Sequence, residues 1–493
     1  MNLSPHRPIF NNGPSSPNLY RIFLWVVLIL GGLWLVYGVG QKEITPIGLP
    51  SPTPTRSGRS YASEGDAYFV AGELNASISA YQKAITVDPS DAQVWASLAR
   101  IQAYSSALKT TDADTTAALQ AALVSANQAN QLAPDDSNVV AIRAFVLDWN
   151  ATNTTGDKRD ALLLQADQAA LHARNLDNTN ALALVYYSEI LVDEQKLVQA
   201  DQYITQALAT EQGQALMDAH RVNAYLLESE GAYKLAIEEY DKAIKLAPSM
   251  TFLYLYAGAN YRRLAYASTI PSQQKTLYEK SLEYFADAAK INDNLKVKDP
   301  IPYLSISKTY SQMGEYFIAG RNVLKALKYR PTDADIYGQL GIVFFKSRNY
   351  EGAIQALKCA VSGCTPQESC DARAGCDTDE SGVQVQGLAL SSGSLVYYYT
   401  YGSALAALSR PKLNYCPTAI PIFNQLRAYS YGTDSDGLTT KKIVLDIVSE
   451  GETICQSIGL PTPLPVSPVA GGTPTPTATP RLPTPTPTRT PHP

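Results

Sequence analysis

Histidine is nearly missing from this chain. Only four occur in 493 residues, and His6 and His492 sit at the two ends. His172 and His220 remain, each on a predicted helix with no cysteine or second histidine at ligand spacing. Both read as satisfied surface or groove side chains, so no metal and no cofactor is expected. An excess of positive charge is also lacking. The formal net charge is −5 and the pI about 5.6, which gives no electrostatic footprint for nucleic acid, and none is expected as a partner. The motifs G-x-S-x-G, G-x-x-x-x-G-K-[ST] and H-E-x-x-H are absent, and carboxylates are scattered singly. No catalytic residue is identified, and the chain is not expected to be an enzyme. Cysteine is absent until Cys359.

What is present begins with Ile22–Gln41, a run without a single charge. At 1.5 Å per residue it spans about 30 Å, the thickness of a hydrocarbon core. Trp25, Trp34 and Tyr37 lie toward its ends, where amphipathic rings suit the headgroup region. A cleaved signal peptide competes with this reading, but the run is longer than a usual apolar signal core and no clean small-x-small site follows. We therefore expect an uncleaved transmembrane helix at 22–41. His6, Arg7 and Arg21 precede it without any acid, while Lys42 is followed by Glu43. The positive-inside rule puts residues 1–21 in the cytoplasm and all that follows outside, giving a single-pass plasma-membrane protein.

The six cysteines, Cys359, Cys364, Cys370, Cys376, Cys416 and Cys455, all fall beyond that span. An even count on an exported side reads as disulfides. No C-x2-4-C knuckle supports zinc, and Asp371, Asp377, Asp379 and Glu380 lack the order of a calcium loop. A Cys416–Cys455 bridge would tie the last helix to its neighbour; the other pairings stay open. Proline and threonine dominate two further tracts, a linker at 42–57 and a tail at 460–493. Neither has the apolar content to fold, so a short spacer and a disordered tail in polyproline II geometry are expected.

Between these tracts a pattern of small and aromatic residues repeats. Helix-ending residues recur at Pro89, Pro134, Asn178, Pro248 and Pro331. The first copy carries Tyr61, Gly65, Tyr68, Gly72, Tyr81 and Ala84. The fifth carries Gly231, Tyr233, Ala236, Tyr240 and Ala243. The eighth carries Tyr337, Leu340, Gly341, Phe344, Tyr350, Ala353, Leu357 and Ala360. This resembles the tetratricopeptide repeat, a helix–turn–helix unit of about 34 residues, in a bacterial, membrane-anchored setting. The resemblance implies an all-α fold: about eight tandem repeats over 58–362 stacked into a right-handed superhelix, an α-solenoid. A cysteine-containing insertion at 363–393 follows, then a degenerate repeat and capping helix at 394–459. The second, third and sixth units hold about ten extra residues between their helices, expected as longer helices or loops projecting on one side.

In this family the first helix of each unit lines a concave groove. Carried over, the lining is Phe145, Arg221, Tyr225, Phe252, Leu255, Arg262, Leu304, Lys308, Ile342 and Phe345. Aromatics beside basic groups suit an extended protein or peptide ligand. The family's clamp for a terminal carboxylate is not expected, because Tyr225, Tyr256, Ile301 and Ser305 stand where most of its side chains belong. The expected function is an extracytoplasmic scaffold for protein or peptide binding at the cell envelope. A structural wall-associated role, or an accessory role in envelope glycosylation or polymer assembly, is the alternative.

Overall fold

A computed structural model describes residues 18–40, 56–109, 112–376, 381–432 and 435–458. The Pro/Thr tail, most of the linker and most of the cytoplasmic segment expected above lie outside the described residues. The chain divides into two units, 1–57 and 58–493. In the first, helix α1 (Leu19–Gly40) is exposed along its described length. Among the described residues it is the one helix long and apolar enough to cross a membrane, with mean hydropathy 2.2 over Leu19–Tyr37.

The second unit is built from helical hairpins. They are α2 (Gly58–Ala71) with α3 (Leu74–Val87), α4 (Ala92–Ser106) with α5 (Asp112–Leu132), and α6 (Ser137–Thr152) with α7 (Asp157–Leu176). Next come α8 (Ala181–Asp193) with α9 (Leu197–Leu208), then a single turn, α10 (Glu211–Gln214). The series continues with α11 (Met217–Ser229) and α12 (Tyr233–Leu246), α13 (Thr251–Ala267) and α14 (Pro271–Asn294), α15 (Ile301–Gln312) and α16 (Tyr316–Tyr329), and α17 (Ala334–Lys346) and α18 (Tyr350–Val361). After the small insertion helix α19 (Pro366–Ala372), α20 (Leu395–Leu408) pairs with α21 (Cys416–Ala428), and α22 (Ser435–Ser457) covers the end. The architecture is an all-α solenoid. The extra residues of the second, third and sixth units lengthen the second helix, to 21, 20 and 24 residues in α5, α7 and α14.

Local chemistry sets these boundaries. Asp91, Asp136 and Asn180 cap α4, α6 and α8 by accepting two backbone N–H groups each, satisfying donors that the first turn leaves orphaned. Inside the hairpins the chain reverses through a left-handed residue, Gly72, Gly231 or Gly314. Gln195 and Arg348 hold the same place in two other hairpins at φ 63°, where a side chain costs about 1 kcal/mol.

Close approach of paired helices depends on the repeated small residue. A Cβ on Gly341 would lie 2.4 Å from Leu357 Cγ, and one on Gly258 would lie 2.7 Å from the Phe285 ring. Alanine is the better helix former by about 1 kcal/mol, but overpacking costs about 1–3 kcal/mol. Gly341→Ala is therefore expected to lower stability by up to about 2 kcal/mol. Gly320, whose Cβ would meet Phe344 at an ordinary 3.5 Å, should gain about 1 kcal/mol as alanine. Urea unfolding of both variants checks the opposite signs; equal signs would mean that this packing does not govern the hairpin.

One apolar core runs without interruption from Leu74 to Ala257. Two smaller ones serve the later hairpins and the cap. The cysteines lie in three pairs at bonding distance: Cys359 with Cys364, Cys370 with Cys376, and Cys416 with Cys455. The first two brace the insertion, where Thr365 and Glu368 form a reciprocal cap on α19.

Candidate functional site

The first helices of the hairpins face inward, and over hairpins one to six that inner face is filled. Tyr104 from α4 stacks on Phe252 from α13 with ring centroids 5.7 Å apart. It also meets Phe145 at 5.3 Å and Trp149 at 5.4 Å, and Phe145 stacks on Tyr186 at 4.5 Å. A Cβ on Gly72 would lie 2.3 Å from Ser249, so the turn of the first hairpin abuts the loop entering the sixth. The superhelix closes on itself here, and side chains expected to line an open groove plug its bore.

Two ion pairs balance the charge inside the plug. Arg100 pairs with Asp218, which also accepts hydrogen bonds from the Tyr104 and Tyr186 hydroxyls. Arg221 forks onto Glu189 at 2.7 and 2.6 Å, and the Trp149 indole donates to the same carboxylate at 3.1 Å. The Arg221 guanidinium lies within 6 Å of the rings of Tyr104, Phe145 and Trp149. Burial would raise the Asp218 pKa, but Arg100, Arg221 and the two hydroxyls outweigh it and hold the group below the ordinary carboxylate range. Asp148 moves the other way. Burial first, then the charges of Asp193 and Glu189, push it well above that range. Tyr225 donates to Asp193 at 2.5 Å. The space left beside Trp149, Arg221, Tyr225 and Tyr256 is about 20 Å³, room for about one water.

This corrects the groove assignment for three residues. Phe145, Arg221 and Phe252 are 1%, 5% and 2% exposed, so each is a core side chain with its contacts already made. Tyr225 stands at the rim of the plug, engaged with Asp193. Arg100, Asp148, Glu189 and Asp218 were missed. The available signal was a lone charge inside an otherwise apolar stretch, as with Asp148 in AFVLDWNA and Glu189 in YYSEILV.

Beyond the plug the character changes. The junction of the sixth and seventh hairpins is polar. Arg262 donates to the Ser305 carbonyl at 3.1 Å and lies 5.2 Å over the Phe285 ring. Burial, with Arg263 nearby, brings its pKa down to about 10. Lys308 is exposed, yet desolvation by the surrounding protein and the charges of Arg262 and Arg263 lower its pKa too. Arg263 is neutralised by Glu228; among the described residues no carboxylate lowers the cost for Arg262 or Lys308. Leu255, Leu304, Ile342 and Phe345 are half-buried on α13, α15 and α17. Leu304 rests against the second core, and Ile342 and Phe345 rest against the third. His220 is satisfied elsewhere, by Glu239 at 2.7 Å and the Gln214 carbonyl at 3.1 Å.

Comparison with known proteins adds to this geometry. The family model of the TPR repeat matches residues 65–105, and that of the tetratricopeptide repeat matches residues 224–250. No curated protein matches the sequence. Among solved structures the chain is similar to TTC0263, a thermophilic TPR protein of Thermus thermophilus. The two are 18% identical over 41% of this chain and 98% of that one, with a TM-score of 0.34. It is also similar to the human IFIT1 dimer with PPP-AAAA, 14% identical over 81% of each chain, with a TM-score of 0.43. With two segments matching the repeat, and hairpins of the same build before, between and after them, the chain is a tetratricopeptide repeat protein.

Proposed function

We propose that this protein is a membrane-anchored scaffold that holds a protein or peptide partner outside the cytoplasmic membrane. Tetratricopeptide repeats serve as protein-interaction scaffolds, and the finer reading concerns which part of the stack does the holding. One observation carries it. On α13, α15 and α17, half-buried Leu255, Leu304, Ile342 and Phe345 accompany basic groups whose desolvation no carboxylate among the described residues offsets. Apolar anchors beside unneutralised cations suit an extended segment with acidic character, since such a partner relieves both burdens at once. The filled bore leaves no comparable surface in hairpins one to six. Neither catalysis nor nucleic-acid binding is proposed; the net charge of −5 supports the latter omission.

The placement rests on α1 as an uncleaved anchor, the basic residues before it, and six cysteines beyond it in pairing geometry. A photo-crosslinker at Leu304 in the full chain, in cells, tests the surface. Expected are discrete adducts with another protein, absent with the crosslinker at Leu164 on the outer face and lost in the Lys308→Glu variant. A ladder of the chain with itself would favour the structural role instead. Externally added protease that spares the repeats in intact cells would overturn the orientation.

A further inference from the structure

A second recess lies on the opposite, outer side of the stack, where α5 and α7 rise on either side of the first half of α6. It holds about 250 Å³. That is slightly below the range of about 300–1,000 Å³ usual for ligand pockets, so it fits one small molecule and not a chain segment. Its lining has an unusual chemistry. Arg143 lines it together with Asn130, Gln165, Gln168 and His172; exposed Pro134 offers an apolar patch; no acid is among the lining residues.

Arg143 donates one N–H to Asn127 Oδ1 at 2.9 Å. No hydrogen bond from its other four N–H groups is found among the described residues, although a guanidinium carries five donors. It is half-buried, and burial alone lowers its pKa, so among the described residues no carboxylate offsets the cost of holding that charge. The amides around it both donate and accept, which matches hydroxyl groups. Gln165, Gln168 and His172 are exposed; Gln165 donates to the Ala161 carbonyl at 3.2 Å, and all three can turn toward a ligand without disturbing the core.

We infer that this recess is a binding site for a small hydroxylated anion, such as a sugar acid or a sugar phosphate, with Arg143 taking the carboxylate or phosphate. The amides hold the hydroxyls, and Pro134 meets the C–H face of the ligand. The site is independent of the protein-binding surface, since different helices on a different face build it.

Isothermal titration of the full chain in detergent, with glucuronate, glucose 6-phosphate and glucose at millimolar concentration, tests this. Binding of glucuronate alone identifies a carboxylate site, and binding of glucose 6-phosphate alone a phosphate site. Binding of both means that the charge and hydroxyls suffice. In each case Arg143→Gln should weaken the affinity about 10-fold or more, the scale of a lost charged hydrogen bond. Gln168→Ala, on the exposed rim, should weaken it less and leave the circular dichroism unchanged. Equal binding of neutral glucose, no binding of either anion, or an affinity indifferent to Arg143→Gln would overturn the assignment.

Discussion

Replacing Arg221 by methionine is expected to cost about 3–5 kcal/mol of folding stability, the price of stranding a buried charge. Glu189 would remain inside the bore with only the Trp149 indole as donor. The three rings around the guanidinium would face a thioether in place of a cation. Solvation cannot repair this, because both partners are about 6% exposed and the adjoining space admits about one water. The double variant Arg221→Met with Glu189→Leu removes both charges together and should recover most of the loss, since a well-packed apolar pair of similar volume is often as stable as the ion pair it replaces. Urea unfolding of wild type, both single variants and the double variant gives the coupling directly. A single-variant loss under about 1 kcal/mol, the scale of a solvated surface pair, would show that the bore is open to water and that the plug is misread.

The same plug marks where reading the sequence stops. The hairpins were legible because Gly258 against Phe285 and Gly341 against Leu357 are contacts within one unit, and periodicity records such neighbours. Extra residues in the second, third and sixth units were legible as lengthened helices for a similar reason. The bore was not. Tyr104 and Phe252 meet across three intervening hairpins, and their contact depends on how far the stack curves over its whole course. An inward-facing aromatic on a first helix looks the same whether it lines an open groove or fills a closed one. The lone acids inside apolar stretches, Asp148 and Glu189, were the one local trace. A carboxylate in such a position has to be paired or neutral; Glu189 is paired with Arg221, and the Asp148 pKa is pushed up toward the neutral form. Of the cysteines, Cys416 and Cys455 could be paired in advance because each falls on a different terminal helix. The four around the insertion allowed three connectivities, and only the position of α19 against the end of α18 separates them.

A closed first half and a more open second half give the scaffold reading a mechanical basis. Hairpins one to six share one core and two buried ion pairs, so they behave as a single rigid body on which the later hairpins are mounted. The polar junction at Arg262, Ser305 and Thr309 interrupts that core. Ligand-facing regions are drawn from the less stable parts of a fold, and the surface assigned to the partner begins at this junction.

The far end is held by different means. Among the residues of α22, only Val444, Val448 and Gly451 are buried, and two buried valines supply about 3–6 kcal/mol at most. Ordering a helix of 23 residues costs more than that in backbone entropy, at about 1–2 kcal/mol per residue before its own hydrogen bonds are counted. The Cys416–Cys455 bridge closes a loop of sequence separation 39, worth about 4 kcal/mol in the chain-entropy model. The Cys359–Cys364 bridge spans 5 and is worth about 2 kcal/mol by the same relation. Replacing Cys416 and Cys455 by alanine is therefore expected to release the cap, with fast amide exchange over 435–457 while hairpins one to six stay protected. Unchanged exchange in α22 would mean that Val444 and Val448 suffice. The consequence reaches back to topology. A cap that depends on this bond survives only where thiols are oxidised, so wild-type protein from intact cells should carry no thiol open to alkylation at either position. Free thiols there would place the repeats on the reducing side of the membrane, with the end of the stack exposed.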